Sequence, residues 1–280
     1  MNKGMDKILD VKNLSKVYGP GCPSCFELTG PKFNTNICPR CGSVIAAHNV
    51  SFDLYKGEIL GIMGESGSGK STAVKCLYFD QEPSSGSALF SDEKKHYELF
   101  KMNSAQQRHL ANHHFGMVYQ NPHQGLNFDI SAGGNIAERL LMSEVDNYAA
   151  IRARATELLS RTEVLAERMD ELPKNFSGGM QQRVQISKAL AINPPLLFLD
   201  EVTTGLDLSV QAAILDLILE IQQQQQTAMI VVTHDLGVIR LLASRTLVMK
   251  YGRVIESGLT DQILEDPQHA YTQRLVASAL

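Results

Sequence analysis

The chain lacks tryptophan, and aromatic residues make up only 6% of its 280 residues. It also lacks any apolar run near the roughly 18 residues that a membrane-spanning helix needs, and its N-terminus has no signal-peptide core. Basic charge is not in excess either: the net charge is −4, whereas nucleic-acid backbones require clustered Lys and Arg. We therefore expect a globular cytoplasmic protein without a membrane span and without a nucleic-acid partner.

Cysteine is scarce outside one cluster. Four of the five cysteines form two C-x₂-C pairs, Cys22 with Cys25 and Cys38 with Cys41, inside residues 19–47, which are rich in Gly, Pro and Asn. Two such turns place four thiolates around a tetrahedral cation and leave no open coordination position. The pattern predicts a structural Zn²⁺ site in an insertion. Two disulfides, a redox pair, or iron in the same sulfur shell are the alternatives.

The most specific motif is Gly64–Ser71, which fits the phosphate-binding pattern G-x-x-x-x-G-K-[ST]. The apolar run Ile59–Met63 before it predicts a strand, and Thr72–Leu77 after it predicts the start of a helix. Glycines let the backbone N–H groups surround a polyphosphate. Lys70 is expected to reach the β- and γ-phosphates, and Ser71 to ligate Mg²⁺. The predicted ATP contacts in this loop are Gly64, Glu65, Ser66, Gly67, Ser68, Gly69, Lys70, Ser71 and Thr72.

Apolar runs that end in polar residues predict the strands of a parallel sheet. Leu196–Glu201 and Ala228–His234 are continuous runs of this kind, as strands covered on both faces are. Between them, residues 210–226 carry apolar side chains at helical spacing. Weaker patterns predict strands at 8–18, 50–54, 87–90 and 115–120, helical segments at 91–112, 130–171 and 260–280, and a hairpin at 246–258. Strands alternating with helices predict an α/β fold of the P-loop nucleotide-hydrolase type.

Two acidic residues follow the apolar run at 196–199. Asp200 occupies the place where phosphate-loop enzymes hold a Mg²⁺-anchoring acid, and Glu201 is placed to polarise a water against the γ-phosphate. At a strand end alone, such a pair is more often a cap, but the upstream phosphate loop favours the catalytic interpretation. His234 also ends a strand, and taken alone it fits a structural histidine better.

The segment Phe176–Arg183 resembles the signature of the ATP-binding cassette (ABC) ATPases, Ser-Gly-Gly-Gln, with Met180 at the variable place. The resemblance covers the chain outside 19–47. It implies an antiparallel β subdomain beside the P-loop core, in a single domain over 1–280 with a helical subdomain at 121–176 and a C-terminal hairpin and helices at 245–280. The roles it implies are an adenine-stacking aromatic at Tyr18, a Q-loop at Gln120 that joins Ser71 and Asp200 at Mg²⁺, an ATP-binding signature at Ser177, Gly178 and Gly179, a D-loop at 205–207, a catalytic base at Glu201 and a switch histidine at His234.

The signature is itself an anion-binding segment, with a hydroxyl and free N–H groups at a helix start. The family arrangement is a head-to-tail dimer in which each signature closes on the ATP of the other subunit. Two positions depart from the family pattern. Val202 replaces the usual Pro after the catalytic base, which frees φ and adds an N–H donor, and Met180 replaces Gln. Because Ser177 and Gly179 remain, we expect hydrolysis to survive.

Within the family, the chain most closely resembles the ATP-binding subunits of phosphonate carbon–phosphorus lyase systems. Residues 131–140 discriminate best, because oligopeptide-importer ATPases differ there. This similarity implies docking on a lyase core complex. The cysteine insertion is not part of that pattern; it either supports docking or staples a loop near Tyr18. The alternatives are the motor of a dipeptide, oligopeptide or metal importer, which would dock on a permease through 120–127, and a slowly hydrolysing nucleotide-gated clamp.

Overall fold

The computed structural model describes residues 6–92 and 95–278. Within these ranges the strands are β1 (Lys7–Tyr18), β2 (Val44–Tyr55), β3 (Ile59–Met63), β4 (Ser85–Ser91), β5 (His96–Glu98), β6 (Phe115–Val118), β7 (Leu196–Asp200), β8 (Ala228–Val232), β9 (Arg245–Lys250) and β10 (Arg253–Leu259). The α-helices are α1 (Lys70–Leu77), α2 (Ser104–His113), α3 (Pro122–Gly125), α4 (Ala132–Met142), α5 (Tyr148–Arg161), α6 (Gly178–Leu190), α7 (Leu208–Gln225), α8 (Leu236–Leu242), α9 (Thr260–Glu265) and α10 (Ala270–Ala277).

The chain divides into two compact units. The first takes in the chain up to Gln107 and again from Ile230 onward, and the second is Arg108–Met229. The boundaries fall inside α2 and β8. Whether the two units form the predicted single domain over 1–280 depends on how they are arranged, so the single domain stays a prediction. In the described part of the chain, no helix combines the length and apolar character needed to cross a membrane.

An antiparallel sheet in the order β2-β1-β4-β5 forms part of the first unit. Its long hairpin pairs Tyr18 with Val44 at one end and Lys7 with Tyr55 at the other. Side chains that alternate along β1 and β2 are buried on one face, as for a sheet that covers a core on one side. The cysteine segment is the connection between β1 and β2, residues 19–43, because β2 begins at Val44, inside the predicted 19–47. It therefore lies at the end of the hairpin that carries Tyr18.

The phosphate loop of the first unit follows β3, whose five residues are all buried. Strand β3 pairs in parallel with β9, and β9 pairs antiparallel with β10. The predicted hairpin at 246–258 is therefore confirmed. A strand buried along its whole length at the centre of such a sheet fixes the start of the loop that follows it.

A parallel strand pair and helices build the second unit. Strands β6 and β7 run parallel, with Val118 opposite Leu199, so the residues that follow both strands emerge at the same edge. The rings of Phe115 and Phe198 meet edge to face at 5.7 Å between centroids. Helix α7 begins at Leu208, two residues before its predicted start, because the Asp207 carboxylate accepts the Val210 N–H at 3.0 Å.

The prediction of a helical segment over 91–112 is wrong at Ser91 and at His96–Glu98, which lie in strands, and its residues 93–94 lie outside the described part of the chain. His96–Glu98 form β5, which pairs with β4 and places Tyr97 opposite Phe90. A three-residue edge strand is too short to show alternation in the sequence. The helix starts only at Ser104, where the Asn103 side chain accepts the N–H groups of the next residues of the turn.

Candidate functional site

The glycine-rich loop at 64–71 connects β3 to α1 in the first unit. The Lys70 ammonium lies against the loop and donates to Gly64 O at 2.7 Å and Glu65 O at 2.9 Å. Gly69 caps α1 with φ of 104°, a conformation that favours glycine. This geometry matches a phosphate-binding loop that opens a helix.

Strand β2 supports the loop from behind. A Cβ at Gly69 would lie 1.9 Å from the carbonyl oxygen of Ala46, so only glycine fits here. Ala46 is two residues beyond Val44, the hairpin partner of Tyr18. Tyr18 is half exposed, and the Lys16 ammonium lies 5.0 Å from its ring centroid. The predicted adenine platform therefore belongs to the strand pair that supports the phosphate loop.

His234 lies in the first unit, just after β8. The N–H of the preceding Thr233 donates to Ile62 O at 3.2 Å, which brings the end of β8 beside the end of β3. The Asp235 carboxylate caps α8 by accepting the N–H groups of Gly237 and Val238 at 2.8 and 3.2 Å. His234 is exposed at this edge, next to the start of the phosphate loop.

Gln120 and Glu201 meet in the second unit. The Gln120 amide Nε2 donates to Glu201 Oε2 at 2.7 Å. The contact follows from the parallel pairing of β6 and β7, because each residue comes just after one of these strands. Asp200 ends β7 and is buried. Glu201 has a φ of 50°, which is uncommon outside glycine and recurs at functional sites.

The predicted signature forms the start of α6. The Ser177 side chain caps the helix and accepts the Met180 N–H at 3.3 Å. The D-loop lies close to the signature in space, since a Cβ atom added at Gly179 would lie 3.3 Å from the Leu206 side chain. Within the second unit, the Q-loop, signature and D-loop line one cavity of about 520 Å³. Its lining residues include Gln120, Ser177, Gly178, Gly179, Arg183 and Asp207.

The two departures from the family pattern have defined surroundings. Met180 turns its sulfur toward Arg168, whose guanidinium Nη1 lies 3.3 Å from Sδ. The same guanidinium covers the Phe176 ring at 4.6 Å and pairs with Glu171 at 2.7 Å. Val202 is buried just past Glu201. The variable signature position therefore faces its own subunit's side chains, while Ser177 remains at the helix start.

A residue that sequence reasoning missed holds the start of the Q-loop. The buried Gln185 side chain on α6 accepts the Tyr119 N–H at 2.7 Å and donates to Tyr119 O at 3.0 Å. This pair of bonds fixes the peptide just before Gln120 to the signature helix. Only its three-dimensional neighbourhood identifies it, since a glutamine at helical spacing gives no signal in a sequence.

The four clustered cysteines converge in the described structure. The Sγ atoms of Cys22, Cys25, Cys38 and Cys41 all lie within 4.8 Å of one another, with neighbouring pairs at 3.4 to 3.6 Å. Tetrahedral zinc with Zn–S bonds of about 2.3 Å requires sulfurs about 3.8 Å apart. A disulfide requires about 2.05 Å, and all four residues are free cysteines. The donor set therefore fits a four-thiolate metal site.

The surroundings of the sulfurs differ. The Ser43 hydroxyl, 3.2 Å from Cys41 Sγ, lowers the pKa of Cys41 to about 6. Burial raises the pKa of Cys25 to about 12. A bound cation would favour the thiolate at every position, including the buried one.

The cysteine segment is tied to the C-terminal hairpin of the first unit. The Arg253 guanidinium donates to Phe26 O at 2.7 Å and to Thr29 O at 3.1 Å. The Phe26 ring stacks on His48 with 4.1 Å between centroids. The His48 N–H donates to Gly252 O at 2.7 Å. The segment is thus a packed part of the first unit, and it borders the hairpin end that holds Tyr18.

The chain belongs to the ABC transporter family, whose sequence profile matches residues 47–204. It is 46% identical over 273 residues to PhnK of Escherichia coli (strain K12), named as a phosphonates utilization ATP-binding protein, and the match covers 98% of both chains. It is 39% identical over 248 residues to the oligopeptide transport ATP-binding protein OppD of Bacillus subtilis (strain 168), covering 85% of this chain and 67% of OppD.

Among solved structures, the chain is similar to the ATP-binding cassette MJ0796, described as a dimer in a post-hydrolysis state bound to ADP and Pi. The TM-score is 0.78 at 26% identity, with 90% of this chain and 99% of that chain covered. The predicted fold class is confirmed: the protein has the ABC ATPase fold and is an ATP hydrolase of this family, whose members bind ATP with Mg²⁺.

Proposed function

We propose that this ATPase serves the breakdown of organic phosphonates, as the ATP-binding subunit of a carbon–phosphorus lyase system. The observation that carries the proposal is the 46% identity to PhnK over 98% of both chains. A similarity of this extent supports a shared role more strongly than a match to part of an importer subunit does.

The phosphate loop and Tyr18 of the first unit hold the nucleotide in this proposal. Backbone N–H groups of 64–71 and the Lys70 ammonium bind the phosphates, and Tyr18 stacks on the adenine. Ser71, Gln120 and Asp200 are the residues that would hold Mg²⁺. The metal would supply charge neutralisation at the β- and γ-phosphates.

Hydrolysis requires a water and a base in this proposal. Glu201 takes a proton from the water that attacks the γ-phosphorus, and His234 stabilises the developing charge on the transferred phosphoryl group. The bond between the γ-phosphorus and the bridging oxygen of the β-phosphate breaks, which gives ADP and phosphate. The Gln120 amide, bonded to Glu201 at 2.7 Å, orients the carboxylate. A fixed carboxylate loses less entropy on reaching the reactive geometry.

The active form in this proposal is a head-to-tail dimer. Ser177, Gly178 and Gly179 line an open cavity at a helix start, where N–H groups and the helix dipole favour an anion. The signature of one copy would close on the γ-phosphate held by a second copy. The described dimer of MJ0796 is consistent with this arrangement.

Helix α4 supplies a surface for the lyase partner in this proposal. It contains most of 131–140, the segment that best distinguishes lyase-associated subunits from oligopeptide-importer ATPases, and it begins at the Ser131 cap. Apolar side chains at its end and on α5 are exposed, with Leu141 at 56% and Tyr148 at 72%. These residues border a cavity of about 380 Å³. Exposed apolar side chains around a cavity are typical of interaction sites.

Co-purification from the native organism tests the lyase role. The tagged chain is expected to recover lyase subunits, and Tyr148→Asp is expected to reduce that recovery. Leu241→Asp, at another exposed apolar residue, is the matched control and is expected to recover them fully. Recovery of a polytopic permease without lyase subunits would support the importer alternative, which the 39% identity to OppD favours.

We also propose that Cys22, Cys25, Cys38 and Cys41 hold one structural Zn²⁺. The convergence of the four Sγ atoms within 4.8 Å supports the site. Four sulfur ligands leave no open position, so the metal would stabilise the fold and take no part in hydrolysis. By closing the β1–β2 hairpin, it would keep Tyr18 and the strand behind the phosphate loop in place.

Metal analysis of the purified protein tests the zinc proposal. About one equivalent of zinc is expected in the wild type and close to none in a Cys38→Ser/Cys41→Ser variant. Cys76→Ser changes the buried cysteine outside the cluster and is expected to keep the metal. Less than about half an equivalent in the wild type, purified without chelator, would rule the site out. Detection of iron in place of zinc would support the four-cysteine site and show that zinc is the wrong assignment for its metal.

A further inference from the structure

The phosphate loop and the C-terminal segment are joined by two hydrogen bonds within the first unit, one to a side chain and one between backbone groups. The N–H of Glu65, the second residue of the loop, donates to the Tyr271 hydroxyl at 3.0 Å, across 206 positions of sequence. The N–H of Gly252, between β9 and β10, donates to Ser68 O at 2.9 Å. The loop is therefore bonded near its start and again before its lysine.

Tyr271 is fixed for this contact. The side chain is buried, and the Lys250 ammonium lies 4.4 Å from its ring centroid. Burial raises the pKa of Tyr271, so the hydroxyl is neutral at physiological pH. A neutral hydroxyl can accept the Glu65 N–H, whereas phenylalanine at the same place could not.

The backbone around Tyr271 is held as well. The Glu256 carboxylate on β10 accepts the N–H groups of Gln268 and His269 at 2.6 and 3.1 Å. His269 Nδ1 accepts the Tyr271 N–H at 3.0 Å and caps α10. The hydroxyl is thus connected through α10 to a strand of the first unit, and it forms a rigid acceptor for the loop.

We propose that Tyr271 is a positioning residue for the ATPase reaction, whose hydroxyl holds the Glu65 peptide so that the phosphate loop is preformed before nucleotide binds. The inference rests on the proposal that Gly64–Ser71 binds the phosphates. At this part-buried contact, loss of the hydroxyl leaves the Glu65 N–H without its protein acceptor, and a peptide that turns toward water at the second loop position displaces the N–H groups that follow it. Preforming the loop lowers the entropy cost of binding ATP.

The test is Tyr271→Phe, which removes only the hydroxyl and keeps the ring beneath Lys250. The KM for ATP is expected to rise about 3- to 10-fold, the range of one hydrogen bond, while kcat stays within about 2-fold. The stabilisation of the protein by ATP in thermal unfolding is expected to shrink to match. Tyr251→Phe is the matched control: its ring also faces Lys250, at 5.2 Å, and its KM is expected to be unchanged.

An unchanged KM in Tyr271→Phe would overturn the inference. So would a fall in the unfolding temperature that is equal with and without ATP, because it would assign Tyr271 to packing alone. Lys70→Ala separates this result from the underlying site. Wild-type ATP binding by Lys70→Ala would overturn the phosphate-loop proposal together with this inference. Lost binding there, beside an unchanged Tyr271→Phe, would overturn this inference alone.

Discussion

The contact between Gly69 and β2 predicts a large effect of a single methyl group. In Gly69→Ala, the new Cβ would start 1.9 Å from Ala46 O, whereas real Cβ atoms essentially never approach within 3.0 Å. Loop and strand must separate by about 1 Å, and a shift of that size in a reactive geometry can cost about 100-fold in rate. Strain at a φ of 104° adds roughly 1 to 3 kcal/mol. Because the two effects multiply, we expect kcat/KM for ATP to fall by more than about 100-fold.

Gly67→Ala is the matched control for Gly69→Ala, because it isolates the contact from the strain. Gly67 also has a positive φ, 78°, but nothing lies within 4 Å of its Cβ position. In this variant only the conformational strain remains, about 1 to 2 kcal/mol, so kcat/KM is expected to fall about 5- to 30-fold. The assay is phosphate release under ATP and Mg²⁺, with thermal unfolding in parallel. Losses within about 3-fold of each other would refute the role of Ala46.

Two further predictions concern stability. Arg139→Leu leaves the carbonyls of Ala111 and Phe115 without their guanidinium donor, so we expect a loss of about 2 to 4 kcal/mol in thermal unfolding, against a much smaller effect for Arg152→Leu, whose pair is exposed. Burial acts to raise the pKa of the Glu256 carboxyl group, but the hydrogen bonds that its carboxylate accepts outweigh burial and lower that pKa. Its stabilisation is therefore present above about pH 4.3 and lost as pH falls through the lowered value; a wild-type advantage over Glu256→Gln that is unchanged between pH 7 and 3 would contradict this.

Motifs with a local physical cause could be predicted from the sequence. A phosphate loop needs glycines, a lysine and a following helix within a few residues, so the sequence of 64–71 is sufficient to identify the loop. The buried strand at 196–200 is also a local pattern. The four cysteines converge as their spacing predicts. Each of these features is set by neighbours along the chain.

Contacts between distant segments could not be predicted in the same way. Gln120 has no local signal, and its bond to Glu201 comes from the parallel pairing of β6 and β7. The bond between Glu65 and Tyr271 spans 206 positions and depends on how the C-terminal segment packs. Strand β5 was missed because its pairing with β4, not its own polar residues, makes it a strand.

Glu201 is proposed to drive the hydrolysis that separates the ATP-bound dimer. Glu201→Gln keeps the size of the side chain and an oxygen that can accept the Gln120 amide, and it removes the base. Light scattering of this variant with ATP and Mg²⁺, together with phosphate release, tests both roles. We expect the mass to double from 30.8 kDa, with phosphate release nearly abolished. A mass that stays at the monomer value, with turnover at the wild-type rate, would contradict the proposal.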